Sequence, residues 1–332
     1  MAAAAKRLPI SVGHPRALGT VSPVARHRSS QPSPRAHGTT KPGPSGPVVV
    51  GVDGSAGALD ALDWAAAEAA ARHRPLQVVH VIPWPAAVDP MGVATAACYH
   101  GRLAAAEEVL EEAVSRARLI APESRVTPHL VTGSAGGALL ERSLDADLLV
   151  LGRRSGPRRH LLSPSLDAKV VAHARCPVAV IGPFLILPAG PSAARMVVGV
   201  DRSPQSNAAI GYAYRAAAQR GIGLTAVHAW TPRGAVDLDG VIDDVGATEE
   251  AEGQVLGRAV DGWERWFPGV SVHTRLVRGC PARALITESA GAALTVVGFR
   301  SRTGLRRVVT GGVGQTLIRH ARGPVAVVRP TS

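Results

Sequence analysis

The sequence predicts an α/β fold in which two similar domains follow each other along the chain. The first observation is a repeat, because VVGVDGS at residues 49–55 returns as VVGVDRS at residues 197–203. The second is that further paired segments follow in the same order at an offset of roughly 147 residues, which is the size of a domain. The third is that apolar, β-branched runs alternate with helical segments in each copy, as in a parallel sheet.

Each repeat shows the same order of predicted elements. PVVVGV at residues 47–52 is continuously apolar, which is typical of a central strand buried on both faces. Ser55 in the first repeat, and Ser203 followed by Pro204 in the second, are N-caps of the next helix. The first repeat continues with strand LQVVHVI, a helix over Leu103–Ile120, strand RVTPHLVTG, helix AGGALLERS, strand DLLVLG, helix SLDAKVVAHA and strand CPVAVIG. Such doubly wound sheets bind ligands beyond the carboxyl ends of their strands.

Composition narrows the class of protein. The chain has 332 residues, of which 46% are hydrophobic, enough for two ordinary cores. No apolar run approaches the roughly 20 residues that span a membrane, and no signal-peptide pattern is present, so we expect a cytoplasmic protein. Cys98, Cys176 and Cys280 are odd in number and lack metal-ligand spacing, so neither disulfides nor a metal site is expected.

Residues 1–46 differ in composition from the rest of the chain. They are rich in Pro, Ser, Gly and Arg and hold seven basic and no acidic residues, so we predict a disordered basic tail. A nucleic-acid-binding arm and an inert extension both remain open. The absence of aromatic residues between the charges favours the extension, and we expect no nucleic-acid partner. The predicted domains span residues 47–182 and 196–330, with a linker over residues 183–195.

These segments together resemble the universal stress protein family, in its tandem two-domain form of the actinobacterial type. The resemblance covers residues 47–330 and is carried by VVGVDGS and VVGVDRSP, VVHVI and AVHAW, DADLLVLG, and the endings CPVAVI and GPVAVV. It implies two Rossmann-like domains, each a five-stranded parallel sheet in the order 3-2-1-4-5 with helices on both faces. It also implies that the fifth strands pair as an internal pseudo-dimer, and it leaves room for a homodimer and regulatory protein partners.

The resemblance further implies ATP, with Mg²⁺, as a ligand of the crevice. In members that bind ATP, the strand-one Asp and the residue after the strand-two His hold the adenosine. A Gly-x2-Gly-x9-Gly-Ser/Thr loop and the start of the next helix hold the phosphates, as helix N-termini hold anions generally. The matching positions of the second repeat are Asp201, Ala229, Gly298, Ser301, Gly311, Gly312 and Val313. Those of the first repeat are Asp53, Val81, Gly152, Ser155 and Ser165.

Both phosphate loops depart from that pattern. In the second repeat, Ser301 stands for the second glycine and Gly312 for the final Ser/Thr. The loss of this hydroxyl removes one hydrogen bond to phosphate, which is typically about 1 kcal/mol, or about 1.5–3 kcal/mol to a charged group. In the first repeat, Ser155 stands for the second glycine, and Pro164, which has no N–H, stands for the third. The second repeat is therefore the better predicted ATP site.

Each loop also carries four arginines that the family pattern does not require. They are Arg153, Arg154, Arg158 and Arg159 in the first loop and Arg300, Arg302, Arg306 and Arg307 in the second. Arginine pairs well with phosphate, so these residues favour an ATP-responsive regulatory protein of the stress response. They suit equally an ATP-free scaffold that binds a protein partner or another anion. A weak ATPase, or an enzyme of a related class such as the electron-transfer flavoproteins, is disfavoured because no catalytic constellation is visible.

Two histidines recur at the end of strand two. His80 and His228 invite a metal or catalytic assignment. No acidic residue or second histidine recurs near them in the sequence, so we predict half-buried structural side chains instead.

Overall fold

The computed structural model of the protein describes residues 46–83, 96–153, 166–182, 194–231, 245–299 and 312–330. The predicted tail, apart from its last residue, and most of the predicted linker lie outside these ranges. Within them, ten strands form one sheet in the order β3-β2-β1-β4-β5-β10-β9-β6-β7-β8. The strands are β1 (Val48–Val52), β2 (Leu76–Pro83), β3 (Val126–Gly133), β4 (Leu148–Gly152), β5 (Val178–Ile181), β6 (Met196–Val200), β7 (Leu224–Trp230), β8 (Val272–Arg278), β9 (Leu294–Gly298) and β10 (Val325–Val328). Each repeat therefore has the predicted order 3-2-1-4-5.

The helices connect the strands as predicted, with one difference in length. They are α1 (Ala56–Ala71), α2 (Ala96–Ile120), α3 (Ala135–Arg142), α4 (Leu166–His173), α5 (Pro204–Arg220), α6 (Val245–Glu264), α7 (Pro281–Glu288) and α8 (Val313–His320). The predicted caps are confirmed, because Ser55 Oγ accepts from the N–H of Ala58 and Ser203 Oγ accepts from the N–H of Ser206. Helix α2 begins at Ala96 rather than at Leu103 and continues through Gly101, which costs about 1 kcal/mol relative to alanine.

The sheet has a hydrophobic core on each face. Val48, Val50 and Val52 of β1 belong to the core formed with α1, α2, α5 and α6. Val49, between them, belongs to the core formed with α3, α4, α7 and α8. Successive residues of a strand point to opposite faces, so both faces require apolar side chains. This burial explains why the central strands are continuously apolar.

The two repeats are joined by their fifth strands. Strand β5 pairs antiparallel with β10, with Ala179 opposite Ala326 at the centre, whereas the strand pairs within each repeat are parallel. All residues of both strands are buried. The pairing removes two apolar edges that would otherwise be open to other chains. The pseudo-dimer that the resemblance implied is therefore a single continuous sheet.

A buried ionic network links the repeats beside this seam. Glu68 of α1 is 4% exposed and pairs with Arg220 of α5 in the other repeat. Arg72 bonds Glu68 at 2.5 Å and Asp147 at 2.8 Å, and it donates to the hydroxyl of Tyr212 across the seam. Charges taken out of water in this way need every partner, because a buried charge left alone is costly.

We expect Glu68→Ala to lower the free energy of unfolding by about 3 kcal/mol, since it leaves two buried guanidinium groups short of a carboxylate. Urea unfolding of the full chain measures this loss. The matched control is Asp63→Ala on the same helix. Its ion pair with Arg116 joins side chains that are 35% and 47% exposed, and its loss should cost no more than about 1 kcal/mol. Equal losses in the two variants would contradict the assignment of the network as a link between the repeats.

Candidate functional site

The candidate site lies where the carboxyl ends of β6 and β9 meet the first turns of α5 and α8. Asp201 directly follows β6, and its Oδ1 accepts a hydrogen bond of 2.8 Å from the N–H of Ser203 and another from the Ser203 hydroxyl. The N–H of Asp201 donates to Ser206 Oγ at 2.9 Å. Ser203, which caps α5, thus also orients the carboxylate of Asp201. The aspartate is held in place by the sequence order Asp-x-Ser.

The first repeat builds the same turn. Asp53 follows β1, and its Oδ1 accepts from the N–H of Ser55 at 3.1 Å and from the Ser55 hydroxyl at 2.5 Å. Val81, the other residue that the resemblance assigns to adenosine here, lies on β2 and is partly buried. The turn formed by Asp-x-Ser is therefore the same in both repeats.

Gly152 and Gly298 are required by packing. A Cβ on Gly298 would lie 2.5 Å from the carbonyl oxygen of Gln205, in the first turn of α5. A Cβ on Gly152 would lie 2.2 Å from the carbonyl oxygen of Gly57, at the matching place on α1. In each repeat, the end of the strand and the start of the helix approach each other too closely for the glycine position to carry a side chain. This contact accounts for both glycines without a phosphate, so their presence alone does not indicate a nucleotide site.

A cavity of about 740 Å³ opens at this edge of the second repeat. It brings together five of the residues predicted from the sequence, namely Asp201, Ala229, Gly298, Gly312 and Val313. Ser301 and Gly311 of the same prediction, and Ser155 and Ser165 of the first repeat, lie outside the described residues. Apart from a few polar groups, the described residues of the wall contribute aliphatic side chains and the ring of Phe299.

The start of α8 forms one side of the cavity. Gly312 is the N-cap of this helix and makes no side-chain capping bond, in contrast to Ser203 at the start of α5. A Cβ on Gly312 would meet none of the described residues within 4 Å. Val313 and Gly314 also line the cavity. The cavity therefore faces the positive end of a helix dipole.

An arginine from each repeat reaches across the seam to the last helix of the other. Arg153, directly after β4, donates to the carbonyl oxygens of Ile318 at 3.1 Å and of Arg319 at 3.0 Å in the final turn of α8. Such groups satisfy carbonyls that the end of a helix leaves without partners. Gly182 leaves room for this side chain, because a Cβ there would lie 2.9 Å from Arg153 Nη2.

The second repeat achieves the same contact with a different pair of residues. Phe299 stands directly after β9, where the first repeat has Arg153, and Arg329 stands directly after β10, where the first repeat has Gly182. The Arg329 guanidinium lies 3.6 Å from the centre of the Phe299 ring and donates to the carbonyl oxygens of Val171, at 3.1 Å, and of the next residue in α4. At the position after the fourth strand, the second repeat thus presents the ring of Phe299 to its cavity, whereas the first repeat has the guanidinium of Arg153.

Both histidines have the structural hydrogen bonds that we predict, but His228 is buried rather than half-buried and also has an acidic partner. His80 Nδ1 lies 2.9 Å from the carbonyl oxygen of Val52, and His228 Nδ1 lies 2.7 Å from that of Val200. The expectation that no acid is near is wrong for His228, because its Nε2 lies 2.9 Å from Glu252 Oε2. Glu252 comes from α6, 24 residues further along the chain, and no motif in the sequence pointed to it.

Glu252 joins His228 to the rim of the site. Its other carboxylate oxygen accepts from Arg202 Nη2 at 2.7 Å, and Arg202 follows Asp201 in the chain. The hydrogen bond from His228, together with the charge of Arg202, lowers the pKa of Glu252. These three side chains and Asp201 border a second, more open depression of about 610 Å³ beside the first cavity.

We expect Glu252→Gln to destabilise the protein at pH 7 but not in acid. The folded state lowers the pKa of Glu252, so its stabilisation is present above the unfolded pKa of about 4.3 and disappears as the pH falls through the folded value. Urea unfolding at pH values from 7 to 3 measures the difference between variant and wild type, which should shrink towards zero. Glu250→Gln, which alters an exposed side chain of the same helix, is the control. A difference that does not depend on pH would contradict the ion pair.

No helix in the described part of the chain is long and apolar enough to cross a membrane.

Comparisons with known proteins agree with this architecture. The model of the universal stress protein family matches residues 45–182 and 193–329. Universal stress protein Rv2005c of Mycobacterium tuberculosis is 36% identical over 299 residues, which are 87% of this chain and 99% of that protein. The crystal structure of a universal stress protein from Archaeoglobus fulgidus is 18% identical, with a TM-score of 0.61, over 86% of this chain and 98% of that one.

A shorter universal stress protein, solved in complex with cAMP, is 27% identical and covers 42% of this chain and 97% of its own, with a TM-score of 0.32. Two matches to the family model, in tandem, together span most of the sequence. The relative from M. tuberculosis is similar over nearly its whole length. The chain belongs to the universal stress protein family, as a member with two such domains in tandem.

Proposed function

We propose that the protein is a nucleotide-responsive regulatory protein of the stress response, and that an adenine nucleotide, ATP with Mg²⁺, binds in the cavity of the second domain. The observation that carries the proposal is that one cavity combines Asp201, Ala229 and the start of α8. A volume of about 740 Å³ lies within the range of about 300–1,000 Å³ that is usual for small-molecule sites.

The two ends of the cavity suit the two parts of a nucleotide. Asp201 and the backbone at Ala229 supply hydrogen-bonding groups at the ends of β6 and β7 for the sugar and base. Gly312 and Val313 place the N-terminus of α8 on the phosphate side, where backbone N–H groups and the helix dipole favour an anion. Ser301 and Gly311 complete this proposed set and belong to the loop outside the described residues. These residues support the binding of a nucleotide, and we assign none of them a role in breaking a bond.

The surroundings of the crevice support the second domain over the first. Arg153 of the first domain extends from the end of β4 to the carbonyl groups of α8, so its guanidinium serves the contact between the domains. The equivalent residue of the second domain is Phe299, which lines the cavity. Asp53, Val81, Gly152, Ser155 and Ser165 of the first domain are accordingly proposed as a weaker site.

A second candidate function is an ATP-free scaffold that binds a protein partner or another anion. Gly312 favours it, because this N-cap has no hydroxyl to bond a phosphate. The arginine-rich loops would then be the binding surface. Both candidate functions include the cytoplasmic location and the homodimer that we expect from the sequence.

We expect Asp201→Ala to weaken the binding of MgATP by about tenfold to a hundredfold, as the loss of a hydrogen bond to a charged group does. Asp53→Ala removes the same type of turn from the first domain and should leave the affinity of the tighter site, in the second domain, unchanged. Calorimetric titration of the full chain with MgATP, AMP and cAMP measures both. Equal effects of the two substitutions would contradict the assignment to the second domain, and no saturable binding by the wild type would favour the scaffold.

A further inference from the structure

We propose that the cavity of the second domain is a site shared by both domains, in which helix α4 of the first domain contacts the nucleotide. The inference rests on the proposed function and adds to it the residues of the other domain that shape the site. It also makes the pairing of the domains a condition for binding. Three steps lead to this proposal, and they concern the wall of the cavity, the groups that hold this wall, and the position of α4 relative to the sheet.

The first step is the composition of the wall. Ala168, Val171 and Ala172 of α4 line the cavity together with Phe299 and Ile318 of the second domain. These three residues lie on one face of α4, because their spacing of three and four positions is that of a helix turn. Alanine at two of the three positions leaves space between the helix and the opposite wall. Among the described residues, the first domain therefore supplies one side of the cavity and the second domain supplies the rest.

The second step is the way in which α4 is held. Arg329 donates to the carbonyl oxygens of Val171 and Ala172 and stacks on the ring of Phe299 at 3.6 Å. A guanidinium over an aromatic face is attracted to it, so the ring and the helix end are drawn to the same group. Phe299 and Val171 also line the cavity. The contact between the domains and the wall of the site thus use the same side chains.

The third step is the position of α4 relative to the sheet. Helix α4 leads within a few residues into β5, and β5 pairs with β10 of the second domain. Val327 of β10 lines the same cavity. The strand pairing therefore sets the distance from α4 to the second domain. A separation of β5 from β10 would remove one wall of the site.

The consequence is a coupling between ligand and domain pairing. A ligand that contacts both domains binds the paired form more tightly, and by linkage it stabilises the pairing by the same factor. The energetic effect of the nucleotide then extends into the first domain, although the described residues of that domain at the site, Ala168, Val171 and Ala172, have apolar side chains. This is a physical route by which nucleotide could regulate a surface on the first domain.

Substitutions on α4 test the inference. Ala172→Leu adds a branched side chain to the cavity wall, and we expect it to weaken MgATP binding about tenfold or more, because small-to-large changes at filled sites are poorly accommodated. Lys169→Leu is the matched control on the same helix, since Lys169 is exposed and does not line the cavity, and its affinity should equal that of the wild type. Calorimetric titration of the full chain with MgATP gives the affinities, and urea unfolding verifies that each variant is folded.

The outcomes separate this inference from the proposed function. Wild-type binding that Asp201→Ala weakens but Ala172→Leu leaves unchanged would overturn the shared site and keep the nucleotide in the second domain. A wild type that binds no adenine nucleotide would overturn both. If Ala172→Leu is not folded, Ala168→Leu adds the same group to the cavity one turn earlier on the helix and serves in its place. Equal affinities of Ala168→Leu and Lys169→Leu would then contradict the shared site.

Discussion

The antiparallel pairing of β5 with β10 is the contact on which the rest of this structure depends. Without it, each domain would end in a short strand of apolar residues with unpaired backbone groups along one side. With it, α1 and α5 come close enough for Glu68 to pair with Arg220, and α4 comes close enough to receive Arg329. The backbone hydrogen bonds of the sheet thus position the polar side chains at the contact between the two domains.

The two domains differ at this seam in a compensating way. The first has Arg153 after its fourth strand and Gly182 after its fifth, and the glycine accommodates the guanidinium. The second has Phe299 and Arg329 at the matching places, and the arginine stacks on the ring. In each case one guanidinium reaches the last helix of the other domain. Both domains therefore make this contact, and in the second domain Phe299 also lines the cavity.

Much of the fold could be predicted because its signals are local and repeated. Apolar strands buried on both faces and the N-caps Ser55 and Ser203 follow directly from residue type and order. The partner of His228 could not be predicted, because Glu252 reaches it only when α6 packs beside β7. The role of Gly298 was also hidden, since the close approach of Gln205 exists only in three dimensions. Contacts between elements that are distant in sequence leave no periodic pattern.

The two domains share one continuous sheet. Amide hydrogen exchange of the full chain, resolved along Val178–Ile181 and Val325–Val328, tests it most directly. In a shared sheet these amides are interior and should exchange as slowly as those of the central strands β1 and β6. Exchange in β5 and β10 as fast as at the outer strands β3 and β8 would show two separate sheets and contradict the account.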